Sequence, residues 1–292
     1  MTQVRIESVG ASLPAWWRRR GSLAHAVAAG RRCLAASHHR PADVGVLVNA
    51  GVCRDDHVAE PANAAYIQHR LGVNVEFQGR PTLSFDLLNG GCGMLNAAQV
   101  VCALLQTGEV EAGLVVAGEA NSDRRPDPQS EVARSGAAIL LDLSPRPDTG
   151  FGAFAFRTHE EDAGLLTTVV SLAVPRGRLL IRRDPRLEEA WLAHASGAVD
   201  AALDQEGLAR GQVDLVVPSQ VSPGFLTRLP GAIGVPAAKV ADFTAALPDT
   251  GSTSVFLAWQ RLCAARPPAP GSRVLFLAFG SGLTVAAATY TV

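Results

Sequence analysis

The chain is predicted to be an α/β protein in which two β/α halves pack as a layered α-β-α-β-α sandwich. Three observations lead there: short β-branched runs alternate with Ala- and Leu-rich helical stretches, a second series follows the first in similar order, and a Pro-rich stretch divides them. In the first series, residues 4–9, 44–48, 82–87, 113–116 and 137–141 read as strands. Between them, 62–71 and 93–106 read as helices, rich in Ala, Leu and Gln with no internal proline. The Pro-rich run 144–149 closes this half. The second series has strands at 167–173, 214–218, 240–243, 274–279 and 284–291, with helices at 187–204 and 253–265. The expected division is therefore 1–143 and 150–292.

Composition supports a large core and removes several function classes. Of 292 residues, 48% are hydrophobic and 18% charged, enough apolar surface to bury a sizeable interior. The net charge of -1 gives no face suited to a polyanion, and neither zinc-ligand spacing nor aromatic-basic interleaving is present, so no nucleic acid partner is expected. No run approaches the roughly 20 apolar residues of a membrane span, and the start of the chain alternates like a strand rather than a signal core. Five scattered cysteines (Cys33, Cys53, Cys92, Cys102, Cys263) form no CxxC pair, as expected of a cytoplasmic protein without disulfides. Lys239 is the only lysine among many arginines, so Arg18, Arg19 and Arg20 receive no role on count alone.

The segment from Thr82 to Gln99 reads as strand, Gly-rich turn and helix, with Cys92 at the junction. A sulfur at a helix N-terminus meets the positive end of the helix dipole and free backbone N–H groups, which favour the nucleophilic thiolate. Gly90, Gly91 and Gly93 leave space around it for a thioester carbonyl. A small buried hydrophobe at a strand-helix junction is the competing reading of a lone cysteine.

This segment resembles the nucleophile region of the β-ketoacyl-ACP synthase III family, and the resemblance continues through Gly113–Glu119, Asp214–Gln220, Gly251–Ser254 and Ala278–Thr284. Together these span nearly the whole chain in order. The resemblance implies the thiolase fold, Cys92 as acyl acceptor, and an oxyanion hole donated by Cys92 and Ser281, with no permanently bound cofactor. It also implies a dimer, with itself or with a homologue, and acyl-CoA or phosphopantetheine-linked acyl-ACP as substrate.

Two family positions depart from the pattern. A histidine and an asparagine that bind and activate the second substrate in condensing members are here Ser219 and Ser252, within frames that otherwise survive. Serine cannot carry a proton near neutral pH, so decarboxylative condensation by the usual route is not expected. The loop Gly51–Asn63 resembles that of head-to-head condensing enzymes, in which a partner-subunit glutamate is the base; by motif that residue is Glu60, with His57 on the same loop as a second candidate. A salt-bridge cluster is the alternative for these charges. The region from Pro14 to His25 lacks a longer lid-like insertion. The expected activity is acyl transfer through Cys92 in specialised lipid or polyketide metabolism; a catalytically silent partner subunit and a thioesterase are the alternatives.

Overall fold

In the computed structural model, residues 3–14, 21–75, 81–130, 132–173 and 177–292 are described. Arg18–Arg20, and with them residues 15–20 of the Pro14–His25 region expected to lack a lid-like insertion, lie outside them. The described strands are β1 (Val4–Ser12), β2 (Val44–Asn49), β3 (Leu83–Asp86), β4 (Ala112–Glu119), β5 (Ser135–Leu143), β6 (Gly150–Thr158), β7 (Leu166–Ser171), β8 (Arg178–Arg183), β9 (Leu215–Pro218), β10 (Arg273–Gly280) and β11 (Thr284–Thr291). The α-helices are α1 (Ser22–Ala36), α2 (Asn63–Leu71), α3 (Gly93–Gln106), α4 (Leu187–Asp204), α5 (Pro223–Ile233) and α6 (Ser254–Ala265).

Nine strands form one sheet in the order β3-β2-β4-β5-β1-β6-β11-β10-β9. The order on one side of the β1–β6 junction is repeated in mirror sense on the other, with Val240 bridging β9 where a further strand would complete the match. Strands β2–β3, β2–β4 and β9–β10 pair in parallel, and β4, β10 and β11 are buried almost throughout, as parallel-type sheets covered on both faces require.

Three apolar clusters define the layers. One packs α1 and α2 on Val44, Leu47, Leu114, Val116, Ala138 and Leu140; another packs α4 and α5 on Leu275, Leu277, Val285 and Ala287. The third holds α3 and α6 between the opposite faces of the two sheet halves, touching Val46, Val115 and Ile139 on one side and Val217, Phe276 and Ala286 on the other. The α6 residues Ser254–Trp259 are consecutively buried, the mark of a helix enclosed all round. This is the five-layered thiolase sandwich. Helix α1 lies so close to its sheet that a Cβ on Gly118 or Gly136 would fall 2.1 or 2.3 Å from the carbonyls of Ser22 and His25.

The second half departs from the sequence-based expectation at its start. Its first sheet strand is β6, within 150–158, where the sequence reading placed no strand; the expected strand at 167–173 is instead β7, paired only with β8 in a separate hairpin. The reason is visible in burial: β6 alternates buried and partly exposed residues, a weaker hydrophobic signal than a continuous run, while β7 has the β-branched composition of a core strand yet lies largely open.

Phe276 is fully buried at the centre, its ring 5.2 to 5.9 Å from those of Phe151, Phe256, Trp259 and Tyr290. Phe276→Ala is expected to destabilise the fold by about 3–5 kcal/mol, measured by urea denaturation, because the five surrounding layers cannot collapse into the cavity.

Candidate active site

Cys92 caps α3, following a single 3-10 turn over Gly90–Cys92. The turn Gly280–Gly282 between β10 and β11 presses directly onto it. A Cβ on Gly91 would lie 2.0 Å from the Phe279 carbonyl oxygen, so glycine there is a steric requirement, and one on Gly280 would lie 3.1 Å from Cys92 Sγ, a tight contact. From the outer layer, Trp191 Nε1 donates to the Gly280 carbonyl at 3.1 Å and fixes this turn.

A cavity of about 740 Å³ opens against these turns. Asn89, Gly90, Gly91, Ser281, Gly282 and Thr284 form one wall; Leu88, Val132, Leu166, Val169 and Ile181, partly from the β7–β8 hairpin, supply an apolar side. Its size and lining suit a chain of methylene groups with a polar end. Cys92 itself lies just beyond Gly91, fully buried, with Sγ 3.6 and 3.5 Å from the Ala278 and Thr284 carbonyl oxygens to which the thiol donates.

Burial pushes the Cys92 thiol up to about 12, against the pull of a backbone hydrogen bond. The expected depression by the helix terminus is therefore outweighed by desolvation in the resting conformation. The Cys92 N–H, expected to serve the oxyanion hole, donates to the Asn89 carbonyl at 3.0 Å in this conformation; Ser281 lies on the cavity wall over Gly90.

The two serines part company. Ser252 lies on the cavity wall, and its hydroxyl donates to Glu119 Oε1. Ser219 is buried under β10, where its Oγ accepts from the Phe279 N–H at 3.4 Å, and it is not among the cavity-lining residues described. The preserved frame around Ser219 has structural uses: Gln220 bonds Pro218, Ala241 and Phe243 through its amide, and Ser222 caps α5.

Glu119, at the C-terminal end of β4, was not singled out from sequence. It is buried at 2% exposure and lines the same cavity. Oε1 accepts from the Val52 N–H at 2.9 Å and Oε2 from the Cys53 N–H at 3.0 Å. Burial holds the carboxyl above its ordinary range, although the Cys53 thiol, the Ser252 hydroxyl and both amides pull it down. A single acidic residue ending an otherwise apolar strand is the signal that could have found it.

The charged loop is mostly tied down within the chain. Arg54 reaches Asp86 at 2.6 Å, Asp55 accepts from the Ser22 N–H at 2.7 Å at the start of α1, and His57 Nε2 lies 2.7 Å from Asp123. Asp86, the acidic residue of the strand before Cys92, also accepts from the Asn63 and Ala64 N–H groups at 2.9 and 2.8 Å and so caps α2. Asp56 and Glu60 on this loop are both exposed, and neither enters an ion pair among the described residues.

Residues 203–292 match the family described as 3-oxoacyl-[acyl-carrier-protein (ACP)] synthase III C terminal. The β-ketoacyl-[acyl-carrier-protein] synthase III 3 of Streptomyces coelicolor is 27% identical over 283 residues, covering 91% of this chain and 81% of that protein. Over most of its length the chain is thus similar to β-ketoacyl-ACP synthase III proteins. This synthase III-like chain is also 25% identical over 283 residues to an acyl-CoA:acyl-CoA alkyltransferase of Xanthomonas campestris pv. campestris, covering 88% of the one and 78% of the other. Among solved structures, a variant of Xanthomonas campestris OleA with bound lauric acid and lauroyl-CoA shares its fold with a TM-score of 0.84 at 19% identity, covering 99% of both chains. A 3-oxoacyl-(acyl-carrier-protein) synthase III matches with a TM-score of 0.85 at 18% identity over 99% of this chain and 100% of the other.

A thiol titrating at about 12 has a thiolate fraction on the order of 10³ below that of a free cysteine at neutral pH. Iodoacetamide is therefore expected to label Cys92 slowly near neutrality in the native protein, and faster as pH rises toward 12, with labelling sites read by peptide mass spectrometry.

Proposed function

We propose that this chain is an acyltransferase of the condensing type, which takes an acyl group from acyl-CoA or acyl-ACP onto Cys92 and passes it to a second substrate in lipid or polyketide metabolism. The observation that carries this reading is the placement of Cys92 at the N-terminus of α3, behind the glycine wall of a largely apolar cavity of about 740 Å³. Acylation exchanges one thioester for another: the Cys92 sulfur bonds the acyl carbon, the bond to the donor sulfur breaks, and the thiol proton leaves with the donor. Because Sγ is enclosed at rest, the substrate must part the Gly90–Gly91 and Gly280–Gly282 turns to reach it. Entry into a dry site then makes the backbone dipoles around the carbonyl effective.

The same reading makes the protein a dimer. Strand β3 is the last strand of its side of the sheet, and Leu83 and Leu88 beside it are 55% and 54% exposed, an apolar edge that a second copy or a homologue would cover. Glu60, on the exposed side of its loop, would then approach the partner's cavity as a candidate base. The described cysteines are all unpaired, consistent with a reducing cytoplasm. Among the described residues, no helix is long and apolar enough to cross a membrane.

Incubation with a panel of acyl-CoAs is expected to add one acyl mass per chain in intact-protein mass spectrometry, and Cys92→Ala to abolish it. Wild-type protein that takes no acyl group from any member of the panel, alone or with a homologous partner, would instead assign the chain a silent subunit role. Light scattering at micromolar concentration is expected to give twice the chain mass. Leu83→Asp should shift the species toward monomer by placing an unpaired charge on the β3 edge.

A further inference from the structure

We propose that Glu119, acting through the Ser252 hydroxyl, is the proton acceptor of this cavity, a role that rests on the acyl-transfer reading above. The position expected from the family pattern to hold a proton-carrying histidine is Ser219, which cannot carry a proton and does not line the cavity. Among the described lining residues only Cys53, Glu119 and Arg183 are ionisable. Burial and the Glu119 charge push the Cys53 thiol well above its ordinary value, and Arg183 is a permanent cation paired with Asp249 at 2.9 Å. Within one chain, Glu119 is left as the group on this wall that can accept a proton, and burial raises its carboxyl from the ordinary range.

The geometry says how it is reached. Both carboxylate oxygens are held by the Val52 and Cys53 amides, so the side chain cannot swing toward a substrate. Ser252 can mediate: its proton is given to Oε1, and its oxygen lone pairs remain available to the cavity whose wall it forms. When an acceptor bearing a proton attacks the acyl carbon on Cys92, that proton passes to Ser252 Oγ while the serine proton passes to Glu119. The bond from acceptor to acyl carbon forms, the C–S bond breaks, and its electron pair goes to Sγ. The proton on Glu119 then returns by way of Ser252 and the cavity to the Cys92 thiolate, restoring thiol and carboxylate. The groups facing Glu119 are the Cys53 thiol from the 52–53 loop, Ser252 from the 251–253 turn, and, on the cavity wall, Arg183 from β8.

The test uses octanoyl-CoA as acyl donor and water as acceptor. Octanoyl-Cys92 protein is desalted, and loss of the adduct is followed by intact-protein mass across a pH series that starts in the ordinary carboxylate range and runs upward from it. Wild-type discharge is expected to quicken as pH rises through the Glu119 value, because the carboxylate is the proton-accepting form, and then to level off. Glu119→Gln and Ser252→Ala should each remove this limb and slow discharge by about 10²-fold or more. Glu119→Asp should restore a displaced limb. If Gln disturbs the amide contacts, seen as a lowered melting temperature, Ser252→Ala decides, since it leaves the carboxylate and both amide bonds in place. Adducts in both variants that discharge with the wild-type pH profile overturn the assignment of Glu119 alone. Wild-type protein that forms no adduct overturns acyl transfer, and this assignment with it.

Discussion

The structure depends on one tight steric contact, the meeting of the α3 N-terminus with the β10–β11 turn. The two belong to different halves of the chain, and they approach so closely that a side chain on Gly91 would overlap the Phe279 carbonyl. This contact brings the sulfur of Cys92 against backbone carbonyls of β10 and β11 and builds the cavity wall from Gly90, Gly91 and Gly282. The middle layer makes it possible: α3 and α6 are clamped by apolar contacts to sheet faces on both sides, and their N-termini bring Cys92 and Ser252 toward the same cavity. The enclosed Trp191 bond to Gly280 ties the outer α4 layer to the same point.

Burial shifts the two ionisable groups there, Cys92 and Glu119, in the same direction. The Cys92 thiol loses its charged form when water is excluded, which suppresses adventitious chemistry of the sulfur and leaves reactivity dependent on what enters the cavity. Glu119 also loses charge stability, and burial raises its carboxyl from the ordinary range, the direction that the proposed proton-accepting role requires. One physical cause, desolvation, thus raises both groups from their ordinary values. The β7–β8 hairpin contributes Leu166, Val169 and Ile181 to the apolar side of the cavity.

Much of the fold was legible because its signals are local. Helices over 93–106 and 187–204 match the structure end to end, since periodic apolar faces and the absence of proline specify them within a few residues. Strand β6 escaped notice because its half-buried alternation of Gly, Ala and Phe is weak as a local pattern and acquires meaning only from pairing with β11. The charged loop 54–60 illustrates the opposite difficulty. Glu60 and His57 read as candidate bases, with a salt-bridge cluster as the alternative for the loop's charges; Arg54, Asp55 and His57 find partners on β3, α1 and the 121–123 segment, contacts between residues distant in sequence.

The resemblance to the synthase III motifs implied that Ser219 and Ser252 stand at that family's His and Asn positions, while the amino-acid sequence by itself determined the α/β alternation and the location of the strand-turn-helix at Cys92. These follow from residue type and spacing, which act over one or two turns of chain. Only the tertiary structure decided that Ser252 borders the cavity while Ser219 does not, that Glu119 stands beside Ser252, and that the Cys92 thiol is raised rather than lowered. Those outcomes depend on dehydration and on hydrogen bonds closed across the interface of the two halves, as between Ser252 and Glu119, which are 133 residues apart. Desolvation is a property of the assembled layers, and no segment carries it alone.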